Sequence, residues 1–411
     1  MAKKKKLTLP AWIFIGMFLG ILAGLCFLKN PDITTSYIKP FGTIYINLLK
    51  FLVVPVVLFS IIDGVVSLND LKRVGSVGIR TFIYYIFTTA MAVIIGLALA
   101  NAFKGFFPQL ETTGAEYEAA TANVMDVIVG IFPSNIFQPM VNSEMLPVIV
   151  IALFFGAGIL SAGIKGKRIG EIVGDMNEVV MKIMMMIIKI TPIGVFCLMC
   201  NVVAVNGPAI VGTLAIVIGV AYLSYLLHVL IVYGLSVRFL SGMSPIKFFK
   251  GLFPAMICAF TTTSSNATLP LNIECCNKMG AEPEISSFVL PLGATINMDG
   301  TAIYQAVATI FIATCYGITL TLPQMGMVVL TATLASIGTA GVSGAGMIML
   351  SMVLATVGIP VEGIALVAGV DKIFDMGRTT LNITGDATCA MWISRQERAR
   401  AGKAKAAAAK E

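Results

Sequence analysis

Residues 371–386 read DKIFDMGRTTLNITGD. Asp371, Asp375, Arg378, Asn382 and Asp386 fall at i, i+4, i+7, i+11 and i+15. At 3.6 residues per turn they share one helix face, within an arc of about 80°. The flanks are apolar: GIALVAGV precedes Asp371 and residues 387–393 follow Asp386. The spacing predicts a membrane-embedded helix whose polar face looks inward. A charge at bilayer depth costs roughly 2.5–3.5 kcal/mol on insertion scales. Three carboxylates and an arginine on one face therefore point to an ion or solute site. The alternative is an ion-pair cluster that only holds helices together, but pairing would leave the net negative charge without a counter-cation.

The remainder of the chain supports a membrane reading. Of 411 residues, 57% are hydrophobic and 12% charged, against roughly 25% charged in soluble domains. Several stretches exceed the 18 or so apolar residues that span a bilayer. The period is helical throughout, without the alternation of an outer-membrane barrel. The net charge of +7 lies outside the spans and reflects topology, not nucleic-acid binding. Eight cysteines are present, nearly all in apolar surroundings. Cys197 and Cys200 form a CxxC that lacks a second pair or a histidine, and read as packed thiols. The only histidine, His228, sits in VAYLSYLLHVLIVYGL and reads as a hydrogen-bonded helix-packing residue. No nucleophile–base pair or metal cluster is visible, so an enzyme is the least expected class.

In order, KKKK at residues 3–6 precedes span 1, residues 11–28. No small-residue cleavage site follows this apolar run, so a span is expected there and not a removed signal. Span 2 covers 41–66, kinked or locally broken near Pro55, and span 3 covers 81–103. Lys72, Arg73 and Arg80 mark a basic loop between them. The positive-inside rule places this loop and the N-terminus in the cytoplasm. The polar stretch 104–123 is expected outside. A segmented span 4 follows (124–163), then a basic loop with Lys165, Lys167 and Arg168. Span 5 covers 179–203, with filler methionines at 184–186, and span 6 covers 209–237.

Beyond residue 244 the pattern changes. Residues 249–270 place a hydroxyl-rich tip between apolar arms too short to cross separately, a re-entrant hairpin. Residues 285–318 form a span broken by GATINMDGT, and 322–357 repeat the hairpin theme with a Gly/Ser tip. The last span is 361–393, followed by a basic tail. The order hairpin, broken span, hairpin, span is a two-fold repeat of architecture. Paired interrupted segments of this kind point to a transporter binding site. Helix breaks free backbone carbonyls for a hard cation such as sodium and N–H groups for a carboxylate. Asn297, Asp299, Asn382 and Asp386 add side-chain oxygens. Arg378 suits bidentate binding of a carboxylate, and Asp375, one turn away, can accept from an ammonium. Together they suit a zwitterion with an extra carboxylate, an acidic amino acid. The rival is that Asp375 and Arg378 pair with each other in the resting protein.

TTTSSNATLP, NMDGT, ASIGTAGVSGAG and DMGRTTLNITGD, in this order, resemble the glutamate transporter family, the dicarboxylate/amino acid:cation symporters. LLKFLVVPVV in span 2 fits as well, and the resemblance covers about residues 10–395. It implies an all-α polytopic membrane protein with eight transmembrane helices plus two re-entrant helical hairpins, the elevator-type glutamate transporter fold. A homotrimer in the plasma (inner) membrane is implied, with both termini cytoplasmic. Residues 1–80 and 104–206 would be scaffold, 81–103 and 207–395 the transport domain, and 396–411 a cytoplasmic tail. The solute site would use Ser265, Thr301, Val342, Gly346, Asp375, Arg378, Thr379 and Asn382. One sodium site would use Gly293, Asn297, Asn382 and Asp386. A second would use backbone oxygens of Thr295, Ser336, Ile337 and Thr339. A third would use Tyr85, Thr88, Thr89, Asn297 and Asp299; helix-packing hydrogen bonds are the ordinary alternative for these hydroxyls.

The implied function is sodium-coupled uptake of aspartate or glutamate, sodium ions being co-transported. The alternatives are a carrier of the same fold for a C4-dicarboxylate or a neutral amino acid, proton-coupled or not, and, in another class, an anion channel. Some positions depart from family patterns. Archaeal-type members carry an arginine where Thr263 stands, and animal members carry one where Met376 stands. Arg378 is thus expected to face the solute and Asp375 with less basic support. Ser343 replaces a frequent proline of the second tip. Asn266 and NMDGT, in place of the Glu and NLDGS of proton-coupled relatives, favour sodium.

Overall fold

The computed structural model describes residues 9–67, 76–109, 129–130, 132–142, 145–207, 209–336 and 345–408. Among them every regular element is a helix. The first group is α1 (Leu9–Cys26), α2 (Lys39–Ser67), α3 (Ser76–Phe103), α4 (Met145–Ser161), α5 (Gly163–Lys189), α6 (Thr191–Asn206) and α7 (Ala209–His228). The second is α8 (Pro245–Thr262), α9 (Ser265–Met279), α10 (Pro283–Ile296), α11 (Asp299–Cys315), α12 (Leu322–Ser336), α13 (Ala345–Thr356) and α14 (Asp371–Ala408). Two helices among the described residues are long and apolar enough to cross a bilayer unbroken, Ser76–Phe106 and Gly212–Ser241. The protein is a helical membrane protein.

Several boundaries differ from the sequence reading. The basic cluster Lys165, Lys167 and Arg168 is not a loop but the exposed first turns of α5. The chain reverses earlier, at Gly163, whose φ of 61° is open to glycine but costly for other residues. Arg80 likewise lies within α3. Span 5 is a bent pair: α5 and α6 meet at 50° across Ile190. Pro192 stands in the first turn of α6, where a missing N–H costs nothing. By contrast α2 runs through Pro55 as one helix. The last span is interrupted before its polar stripe: a short helix, Ile364–Ala368, ends at Gly369 and α14 begins at Asp371. Asp371 therefore sits in a first helical turn, where a carboxylate is favoured.

A helical hairpin, α8 with α9, and a helix pair broken between α10 and α11 are present. The first tip is Thr263–Ser264, between α8 and α9. Thr263 is left-handed (φ 52°), the lone non-glycine so placed among the described residues. Ser264 caps α9 by accepting from the Ala267 amide at 3.2 Å. The broken span parts at Asn297–Met298, between α10 and α11. The tip of the second hairpin, between α12 and α13, lies outside the described residues. So do Glu111, Glu116 and Glu118, and Lys72 and Arg73.

Packing falls into two sets. Helix α1 packs on α6, and α2 on α4, α5 and α6. Helices α3, α7 to α12 and α14 pack on one another; α13 touches both sets, and contacts of α6 with α7 and of α4 with α12 also join them. The α1–α6 seam is built from glycines at four-residue spacing. A Cβ on Gly20 would lie 2.6 Å from the Phe196 carbonyl oxygen, and one on Gly24 2.7 Å from that of Cys200. Gly16 meets the Pro192 carbonyl in the same way. Small residues let membrane helices approach to backbone contact.

Gly20→Leu is therefore expected to force this seam apart, at the ~1–3 kcal/mol typical of overpacking. The check is thermal unfolding of the detergent-solubilised protein. Gly212→Ala, with open space around Gly212, should leave the melting temperature unchanged.

Candidate solute and cation site

The polar stripe of α14 is buried from end to end: Asp371, Asp375, Arg378, Asn382 and Asp386 are each no more than 5% exposed. Its upper half is a charge cluster. Arg378 donates from Nη1 and Nη2 to the two oxygens of Asp371, at 2.9 and 3.2 Å. Its Nε donates to Asp375 Oδ1 at 2.9 Å. The guanidinium also lies over the Tyr304 ring, 4.9 Å from its centroid. Lys372 Nζ stands 3.4 Å from Asp375 Oδ2 and donates to the Thr263 hydroxyl at the first hairpin tip. Two carboxylates and two cations thus balance in one buried chain, which is what lets them remain charged away from water.

The elements around this cluster approach it with backbone. A Cβ on Gly346, in the first turn of α13, would run into Nη1 of Arg378, and one on Gly300 into the Arg378 carbonyl. Glycine at these two places allows α13 and α11 to close on the arginine. Ser265 and Thr301 are buried at the first turns of α9 and α11, and Thr379 is buried on α14. Val342 lies outside the described residues. The arginine, both carboxylates, the first hairpin tip and the start of α13 thus converge. The pairing of Asp375 with Arg378, an alternative in the sequence, is present.

The lower half of the stripe meets the break between α10 and α11. Asn297 Nδ2 donates to the Asn382 carbonyl at 3.1 Å and to Asp386 Oδ1 at 2.9 Å. The Gly300 amide donates to Asn382 Oδ1 at 2.7 Å. A Cβ on Gly293 would strike Asp386 Oδ1 and come within 2.6 Å of the Tyr85 hydroxyl. Gly293, Asn297, Asn382 and Asp386 are therefore together. The Oδ1 atom of Asn297 is buried with no hydrogen-bond partner among the described residues. A buried oxygen without a donor is costly and suits a hard cation.

Asp299 anchors the third group. Thr89 donates to its Oδ1 at 2.6 Å and the Tyr233 hydroxyl to its Oδ2 at 2.7 Å, with His228 Nε2 3.1 Å from that oxygen. The sequence reading assigned neither His228 nor Tyr233 to this site. They stand five residues apart, and a π-helical stretch, Val229–Tyr233, follows His228. The wide i→i+5 turn brings such residues to one side. Their rings meet edge to face at 4.7 Å. Tyr85 and Thr88 are buried on the same helix as Thr89, but their hydroxyls bond the carbonyls of Val289 and Tyr85, at 3.1 and 3.2 Å. The Thr295 hydroxyl bonds Leu292 of its own helix. Ser336 ends α12, while Ile337 and Thr339 lie outside the described residues.

The model of the sodium:dicarboxylate symporter family matches residues 9–396. The chain belongs to this family. A proton/sodium-glutamate symport protein of Geobacillus stearothermophilus is 36% identical over 403 residues, 96% of this chain and 95% of the relative. The proton/glutamate-aspartate symporter of Escherichia coli is 35% identical over 96% and 94% of the two chains. A C4-dicarboxylate transport protein of Rhodopseudomonas palustris is 30% identical over 93% and 86%. Within this symporter family member, Lys372 corrects one expectation. Basic support for Asp375 is present, supplied from α14 itself and not from position 263 or 376. Asp371 and Lys372 stand at the head of the stripe, so the run was legible, but their partners were not.

Asp371→Ala should leave Arg378 short of charge, at the ~3–5 kcal/mol of a broken buried pair. Its melting temperature in detergent should fall clearly. Glu178→Gln, which breaks the exposed bond to Lys182, should leave that temperature unchanged.

Proposed function

We propose that this protein is a secondary active symporter, not an enzyme, that couples inward sodium movement to uptake of an acidic amino acid, aspartate or glutamate. One observation carries the reading. A buried arginine and a buried carboxylate, Arg378 and Asp375, lie side by side on α14 where the first hairpin tip and the start of α13 converge. An anion receptor next to an ammonium receptor matches a zwitterion with a second carboxylate. The names of the bacterial glutamate and glutamate-aspartate relatives support the same substrate class.

Sodium is a co-substrate in this reading. Asn297 Oδ1, Asp386 and the Asn382 carbonyl would hold one ion, with Gly293 supplying backbone at the same place. Asp299, Asn297, Thr89, Thr88 and Tyr85 would hold another, after the Thr89 and Tyr233 hydroxyls reorient. Thr295, Ser336, Ile337 and Thr339 would offer backbone oxygens to a further ion, and Val342 would join the solute site from the second tip. Helices α1, α2 and α4 to α6 would form a scaffold for a homotrimer. The remaining helices, which would be spans 3, 6, 7 and 8 with two re-entrant hairpins, would move as an elevator, giving eight spans in the whole fold. Both termini would be cytoplasmic. A C4-dicarboxylate is the second reading, favoured by Lys372, which already occupies Asp375 with an internal ammonium.

The test is uptake of radiolabelled aspartate into proteoliposomes under an inward sodium gradient, against potassium alone and a proton gradient alone. Sodium-dependent uptake is expected. It should fall about 30-fold or more in Arg378→Ala, the order for truncating a buried charge partner. Asn297→Ala should raise the half-saturating sodium concentration about tenfold. Accumulation of serine or succinate with no aspartate uptake would sink the substrate assignment. Equal uptake on protons alone would sink sodium coupling.

A further inference from the structure

Lys372 is buried on the first turn of α14, and its ammonium joins two parts of the solute site. It donates to the Thr263 hydroxyl, at the strained tip of the first hairpin, and lies 3.4 Å from Asp375 Oδ2. Thr263 closes the C-terminus of α8, the negative end of a helix dipole, where a cation is favoured. Asp375 Oδ1 is already held by Arg378 Nε at 2.9 Å. Both oxygens of Asp375 thus face cations of the protein.

Each oxygen keeps a second lone pair, but a third cation against one buried carboxylate would be an uncompensated like charge, so a solute ammonium that binds Asp375 competes with one of them. Arg378 is clamped through a bidentate bond to Asp371 and a bond to Asp375. Lys372 has a compact charge on a flexible stem and approaches Asp375 at a longer distance, so it is the group that yields. We propose that Lys372 is a specificity-determining residue. It acts as an internal ammonium that occupies Asp375 and ties down the first hairpin tip until a solute amino group replaces it. A dicarboxylate without an amino group leaves Lys372 in place. Lys372 thereby sets how strongly the site prefers amino acids to amino-free dicarboxylates. This inference rests on the reading of Asp375 as the ammonium receptor.

Aspartate and succinate carry the same two carboxylates on four carbons and differ by the amino group, so their affinity ratio isolates the contact. Equilibrium binding of both is measured on the purified full chain at saturating sodium. In Lys372→Met the aspartate-to-succinate ratio should rise about tenfold, the factor carried by one charge-assisted hydrogen bond. In Lys372→Arg, which keeps the charge and adds a fork, the ratio should fall below that of the unmodified protein. If Lys372→Met does not fold, the arginine variant alone decides. A ratio unmoved in the folded variants, with both affinities shifting together, makes Lys372 a mere strut and overturns the proposal. An unmodified protein that binds succinate but not aspartate overturns the acidic amino acid reading. Aspartate binding gained in Lys372→Met would still support this role of the lysine. Failure to bind either ligand overturns both.

Discussion

The bonds from Arg378 to Asp371 and Asp375 are the constraint on which the other features of the site depend. A guanidinium cannot shed its proton to escape a low-dielectric interior, so it must be matched where it stands. Asp371 matches it in a bidentate pair, Asp375 through Nε, and Lys372 cancels the charge left over. The packing of neighbouring helices follows from this arrangement. Gly300 and Gly346 are small because α11 and α13 press their backbones against the arginine. Tyr304 lends its ring face to the same cation. The break between Ala368 and Asp371 places the first carboxylate at a helix start.

Much of this was legible in the sequence, because it depends on local periodicity. The stripe at i, i+4, i+7, i+11 and i+15 specifies one face of α14 whatever the fold. The interruption at Asn297–Met298 and the hairpin tip at Thr263–Ser264 were visible as polar runs within apolar segments. The first exceptions are boundary effects. The charges of Lys165, Lys167 and Arg168 suggest a loop, yet Gly163, with its positive φ, has already turned the chain. The interruption before Asp371 leaves no mark in the sequence, because GIALVAGV is as apolar as an unbroken helix would be.

The other exceptions are relations between distant segments. Nothing local says that His228 and Tyr233 reach Asp299, or that Lys372 reaches Thr263 from 109 positions away. The π-helical stretch that accompanies the first pair has no single residue as its mark. That Asn297 Oδ1 has no hydrogen-bond partner among the described residues is similarly invisible in sequence, since it follows from what α10, α11 and α14 do not offer it. These are also features of the proposed solute and cation sites, where satisfying every local preference would give way to holding polar atoms for a ligand.

The glycine-lined seam between α1 and α6 bears on biogenesis. Helix α1 meets its partner through Gly16, Gly20 and Gly24, but residues 27–190 must be made before that partner exists. During synthesis the first helix therefore waits in lipid with a grooved, weakly adhesive face. Only α6 brings the carbonyl oxygens of Pro192, Phe196 and Cys200 to those three glycines, at the four-residue spacing they share. The seam can thus close only after residues 191–206 have entered the bilayer.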